Sequence, residues 1–256
     1  MQIRILGCSG GIGHDLRTTS LLIDDDVLID CGTGVGDLEL DELGKIRHIF
    51  LTHGHLDHIA FIPFLVDSMF DELVGNPITI HLQVETMDML CQNIFNWKIW
   101  PDFASLPDKS NPVIKYDVIT PGKRLEFDGR LFEAIAVSHT QPAVGYLVQS
   151  PDGGYFAFSG DTTSTDGFWD VLNTYSKLDL LFVECAYANH EVDLCQMAGH
   201  HRPATLAADL RKLRHQPELY ITHQKPGEEK QIMRELNELV DNREPKILQR
   251  GQVFNL

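Results

Sequence analysis

The stretch Thr52-His53-Gly54-His55-Leu56-Asp57-His58 places four metal-competent side chains within six residues, between an apolar run at 46–51 and an apolar segment at 59–66. Imidazole and carboxylate together suit zinc, iron or manganese. Two His separated by one residue point the same way from an irregular turn, whereas a helix would set them on different faces. The spacing therefore predicts a strand, then a ligand loop, then a helix opening at 56–59. A His-rich solvated loop is the competing reading. It gives no reason for His53, His55, Asp57 and His58 to lie directly against two hydrophobic segments.

The rest of the chain reads as an α/β protein. Its 256 residues are 43% hydrophobic and 23% charged, and α/β folds often run to this length as one domain, expected here over 1–256. No Pro/Gly/Ser-rich linker or internal repeat interrupts the pattern. The start runs straight into a strand-like segment at 3–6 without the features of a signal peptide, and no apolar stretch reaches membrane-spanning length; a cytoplasmic location and no membrane partner are expected. Five widely spread Cys without a Cys-x-x-Cys pair read as reduced, mostly buried residues. The net charge of −16 works against broad nucleic-acid binding, which depends on counterion release to Lys and Arg. It points instead to a small anion drawn in by metals and a few local bases.

Short strands are expected at 3–6, 20–23 and 27–29. Gly10, Gly11 and Gly13 form a loop passing close to a metal site; their spacing is not that of a dinucleotide fingerprint. Asp30 ends the third strand, either as an acceptor that orients a ligating His or as a turn residue before Gly32. Helical spacing covers 59–73 and 85–97, with a strand at 78–81 whose His81 is structural. Aromatic stripes are usually core; in the aromatic-rich segment 95–103, Pro101, Asp102 and the loop that follows favour a cap beside the metals, with Trp100 or Phe103 available to stack on a ring such as a nucleobase. A repeated pattern follows. The strands 131–137, 155–158 and 219–222 lead to His139, Asp161 and His223, as 50–52 leads to His53. Ligand sites of α/β sheets gather outside the carboxyl ends of strands. Four coincidences of residue type and position favour a metal site over four unrelated polar residues.

These motifs resemble the signature of the metallo-β-lactamase superfamily of dinuclear metallohydrolases. The resemblance implies a four-layer αβ/βα sandwich. It implies one metal on His53, His55 and His139, a second on Asp57, His58 and His223, and Asp161 bridging them, with a water or hydroxide of near-neutral pKa between the ions as nucleophile. Two divalent cations are thus the expected cofactors; His rather than Glu at position 55 favours zinc, and ligand identity leaves manganese or iron open. Asp57 counts with the catalytic groups as well as the ligands. The other catalytic candidates are Glu184, after the apolar strand 180–183, and His200 or His201, ahead of a helix opening at Pro203. One His would stabilise the transition state or protonate the departing alkoxide, oriented by Glu184. The Gly-His-x-x-Pro spacing favours His200, with His201 close behind. Arg202 stands where a small hydroxyl residue is usual.

Within the superfamily, His53-x-His55-Leu56-Asp57-His58-Ile59, the run Leu6-Gly7-Cys8-Ser9-Gly10-Gly11 through Arg17-Thr18-Thr19-Ser20, Ile99-Trp100-Pro101-Asp102-Phe103 and Gly199-His200-x-x-Pro203 resemble class II 3′,5′-cyclic-nucleotide phosphodiesterases. That branch implies in-line attack on a cyclic phosphodiester with release of the 3′ oxygen. Ribonuclease Z, the tRNA 3′-processing endonuclease, shares the seven ligands and the Ser-Gly-Asp-Thr at 159–162. It usually carries a basic, Gly-rich arm that has no counterpart here. Ester or thioester hydrolysis on the same scaffold and a non-catalytic metal-binding protein complete the alternatives. Homodimers are common among relatives, and 85–97 has apolar residues to spare.

Overall fold

The computed structural model describes residues 1–240 and 242–256. Strands β1 (Gln2–Gly7), β2 (Ser20–Ile23), β3 (Val27–Ile29), β4 (His48–Phe50), β5 (Ile78–Leu82) and β6 (Ile114–Val118) build a first sheet. Strands β7 (Arg124–Phe127), β8 (Arg130–Val137), β9 (Ala143–Gln149), β10 (Tyr155–Phe158), β11 (Leu180–Glu184), β12 (Glu218–Thr222) and β13 (Lys246–Ile247) build a second. The last strand, β14 (Val253–Asn255), returns to the first sheet beside β1, giving the order β14-β1-β2-β3-β4-β5-β6 against β7 to β13 in sequence. Both sheets follow one scheme: three antiparallel pairings, then three parallel ones.

Alternation along the strands makes the two sheets face each other. Ile3 and Ile5, Leu21 and Ile23, and Val27 and Ile29 enter a shared layer with Phe156, Phe158 and Phe182 of the second sheet. The intervening Leu22 and Leu28 face helices on one outside, and Ala157, Leu181 and Val183 face helices on the other. This is the period-two consequence of a pleated strand. Helix, sheet, sheet and helix form the expected four layers. No helix among the described residues is long and apolar enough to cross a membrane.

Two expected helices are divided. The segment 59–73 becomes Leu56–Ile59, Ile62–Ser68 and Phe70–Leu73. Pro63 lies in the first turn of the middle piece, where its missing amide hydrogen costs nothing, but it cannot continue a helix from Ile59. The segment 85–97 is helical only over Val84–Asn93. Beyond it the Asn96 side chain accepts the amides of Lys98 and Ile99, both at 2.9 Å, and holds a turn in place of the helix.

The sheets are tied directly beneath the His-rich loop. Tyr146 of β9 donates its hydroxyl to the Leu51 carbonyl at 2.7 Å, and the Val144 amide donates to the Thr52 carbonyl at 3.0 Å. Phe50 stacks on Phe132 across the layer with ring centres 4.4 Å apart.

Candidate metal centre

Four loops leave the carboxyl ends of β4, β8, β10 and β12 and meet at one edge of the sandwich. They bring all seven expected side chains into two clusters. His53, His55, His139 and Asp161 form one; Asp57, His58, Asp161 and His223 form the other, each with its candidate donor atoms within 4.8 Å of one another. Asp161 belongs to both. Its Oδ2 lies 3.7 Å from His53 Nε2 and 3.2 Å from His58 Nε2, and its Oδ1 lies 3.3 Å from His223 Nδ1.

Hydrogen bonds set the imidazole tautomers. Asp30, wholly buried, accepts the Thr52 amide at 2.8 Å, the Thr52 hydroxyl at 2.8 Å and His58 Nδ1 at 2.7 Å. A carboxylate only accepts, so His58 carries its proton on Nδ1 and its Nε2 is bare, buried and without a hydrogen-bond partner. The Thr52 hydroxyl, having given its hydrogen to Asp30, accepts His53 Nδ1 at 3.0 Å. His139 Nδ1 donates to the Gly199 carbonyl at 2.9 Å. Gly199 closes the helix Val192–Ala198 with φ 70°, a left-handed cap suited to glycine. Three rings thus aim Nε2 at the clusters. In the first, His55 Nδ1 lies 3.0 Å from His53 Nε2 and 3.1 Å from His139 Nε2. At most one proton fits among three converging nitrogens, and a cation relieves the remaining lone-pair repulsion. The donor set therefore fits divalent metal ions.

For two of the rings the electrostatics favour the same neutral form; for His58 the flanking carboxylates favour the charged one. Burial pushes His53 well below the ordinary imidazole range and His223 down to about 4, toward the neutral form that ligates metals. Burial opposes a charge on His58 too, but the Asp161 and Asp30 carboxylates on its two sides outweigh it and raise its pKa. Asp30 and His223 both adopt a left-handed φ of 59°, a strained conformation that clusters at functional sites.

The catalytic candidates separate. His200 is 6% exposed and lies between the clusters, its ring centre 5.0 Å from that of His139 and 5.1 Å from that of His223. Its Nδ1 donates to Glu184 Oε1 at 2.8 Å, and the same oxygen accepts the Thr162 amide next to Asp161 at 2.9 Å. His201 is turned the other way, under the helix Pro203–Leu210, with Nδ1 3.0 Å from Thr205 Oγ1 and Nε2 4.0 Å from Asp209. The structure does not bring it to the clusters. Phe103 is a core residue, 2% exposed against Phe70 and Phe95, and Trp100 packs on Phe64 and the same core. The expected aromatic cap is instead part of the helical layer outside the first sheet, because these rings gain more from apolar neighbours than from water.

The family model for the beta-lactamase superfamily domain matches residues 25–224, most of the chain. The chain belongs to that superfamily. It is similar to the probable 3′,5′-cyclic-nucleotide phosphodiesterase of Yersinia pestis, 27% identical over 187 residues that cover 66% of this chain and 51% of that one. It is also similar to the ribonuclease Z of Halorubrum lacusprofundi, 28% identical over 159 residues covering 59% and 48% respectively. The chain spans about half the length of these curated relatives. Among solved structures, unliganded yeast PDE1 matches with a TM-score of 0.81 and 19% identity over 100% of this chain and 99% of that one. At that identity the match establishes the metallo-β-lactamase fold.

In this superfamily member three neighbours of the site carry little sequence signal. Tyr187 stands with its ring 5.7 Å from His200, and Lys225 lies 5.8 Å over Tyr187 while donating to the Gly10 carbonyl at 2.9 Å. Lys225 is two residues past His223, which is the only clue to it. Asn189 supplies the cap that Arg202 cannot: its Oδ1 accepts the Ala204 amide at 2.9 Å, at the start of Pro203–Leu210.

Proposed function

We propose that residues 1–256 act as a single domain with dinuclear phosphodiesterase activity on 3′,5′-cyclic nucleotides. The observation that carries this reading is the pair of His/Asp clusters sharing Asp161 and walled by His200, in a chain similar to the Yersinia pestis protein. His53, His55 and His139 would hold one ion and Asp57, His58 and His223 the other, with Asp161 common to both sets; the His-rich donor set suits zinc. What two such cations supply when bound is polarisation of a phosphoryl oxygen and a water acidified to near-neutral pH.

The chain's own residues do the rest. Asp30, directly on His58 and through Thr52 on His53, fixes the rings with Nε2 inward, so little reorganisation accompanies binding. His200 donates its Nδ1 hydrogen bond to Glu184, and Nε2–H is then the group that meets the phosphoryl oxygens and protonates the departing 3′ oxygen. Burial opposes the imidazolium, but Glu184 raises the pKa of His200 and keeps a proton available. Water loses a proton to solvent as it adds to phosphorus, the bond to the 3′ oxygen breaks with that oxygen taking the proton of His200, and a nucleoside 5′-monophosphate leaves.

A tRNA-processing activity is the second reading, carried by similarity to ribonuclease Z. Hydrolysis of cyclic AMP and cyclic GMP beside bis-p-nitrophenyl phosphate and a pre-tRNA, on protein of known metal content, separates the two. Cyclic-nucleotide turnover without tRNA trimming is expected; the reverse would replace the proposal.

A further inference from the structure

Outside the clusters, a cavity of about 420 Å³ opens between the loop after β1, the turn after β12 and the strand β13. It shares no residue with the seven candidate ligands but adjoins them. Gln224 of its wall follows His223, and Ser9 pairs with Gln224 in an isolated β-bridge. Gly10 lies so near that a Cβ there would come within 2.5 Å of the His223 carbonyl oxygen. Ser9 is the unexplained group. It is 7% exposed, it lines the cavity, and its Oγ has no hydrogen-bond partner. A buried hydroxyl left unpaired carries a desolvation cost that a ligand polar atom would remove.

The walls decide the chemistry of that ligand. Leu16 and Leu248 are apolar, the Ser9 hydroxyl is a neutral donor and acceptor, and so is the Gln224 amide, whose Nε2 makes only a long 3.5 Å hydrogen bond to the Glu229 carbonyl. Arg17 and Arg250 also line the cavity, but both are spent on Asp37, at 2.9 and 3.0 Å. Asp15 and Glu229 add negative charge. Among the described residues of the wall, no free cation awaits a phosphate. The Cys8 thiol donates to the Leu248 carbonyl at 3.3 Å and burial pushes its pKa to about 12, so it offers no nucleophile.

Resting on the phosphodiesterase reading, we propose that this cavity binds the purine base of a nucleotide whose phosphate lies at the metal clusters. A primary amide matches two adjacent edge atoms of adenine, and aliphatic and guanidinium surfaces pack on the ring faces. The volume falls within the range of about 300–1,000 Å³ usual for small-molecule sites.

The test uses adenosine, which has no phosphate, titrated calorimetrically into the full metal-loaded chain. Adenosine binds the wild type, and Leu16→Trp, which fills the cavity, weakens binding at least tenfold. Ser9→Ala weakens it about threefold and carries the test alone if the larger side chain prevents folding. In Leu16→Trp the kcat/KM ratio of cyclic AMP to bis-p-nitrophenyl phosphate also falls tenfold, through KM. Absent adenosine binding in the wild type, or binding unaltered by the folded variants, overturns the assignment. Failure of the phosphodiesterase reading has another signature: cyclic AMP is not cleaved, while adenosine binding and its loss in Leu16→Trp still uphold the cavity.

Discussion

The two sheets share one strand scheme yet contribute to the metal centre in opposite ways. The first supplies four of the seven cluster residues from a single loop, His53 to His58, braced by the buried carboxylate of Asp30 from the neighbouring strand. The second supplies His139, Asp161 and His223 from three separate strand ends, and its buried carboxylate, Glu184, braces His200 rather than a cluster member. One half concentrates donors; the other distributes them and adds the wall. The concentrated half is set by local chain geometry, and the distributed half exists only once β8, β10 and β12 are aligned.

If that division is right, the largest loss comes from the residue common to both clusters. Asp161→Ala lowers turnover by about a thousandfold or more and reduces bound metal, with the fold retained by circular dichroism. Full metal content and activity would remove the bridge from the comparison. Next, His200→Ala lowers kcat by roughly 100- to 1,000-fold with metal content unchanged by elemental analysis, and Glu184→Gln by roughly 10- to 100-fold. Loss of metal in the His200 variant would make it a ligand instead of a wall. In the first half, Asp30→Asn weakens metal binding by about 10- to 100-fold in chelator competition, because His53 and His58 lose their fixed tautomers. Unchanged affinity would mean that the His loop needs no brace.

A smaller effect distinguishes the histidines by pH. His81, bonded to His48 and Asp117, is lowered to about 4 by burial. Between about pH 6.5 and 4 the unfolded chain takes up a proton that the folded one refuses. Stability therefore falls as pH drops through that window, by at most about 3 kcal/mol from this group. Urea titrations at both ends measure it, and His81→Gln flattens the difference; an equal slope in the variant would assign the loss elsewhere. The smallest effect is in the second half, where Asn189→Ala costs about 1 kcal/mol by uncapping the helix behind His200. An unchanged urea midpoint would show that water already serves that helix.

Legibility followed the same division. The ligand loop, the strands around it and the four strand-end donors were readable because alternating apolar residues and compact motifs record local geometry. β9 was not among the expected strands: Gly145 interrupts its apolar run, although only glycine fits against the Phe158 carbonyl. The break at Ile94 was hidden as well, since it rests on the Asn96 side chain overriding an otherwise helical spacing.

By itself the sequence determined the period-two faces that make two sheets pack, and the donor types that meet at their edge. It left His200 and His201 nearly equivalent, Trp100 and Phe103 free to cap a site, and Ser9 without meaning. Tertiary structure decided each of these, because a side chain's direction at an irregular turn depends on partners distant in sequence. Glu184 draws His200 to the clusters and Thr205 holds His201 away. Phe70 and Phe95 take Phe103 into the core, and none of the described residues pairs with the hydroxyl of Ser9.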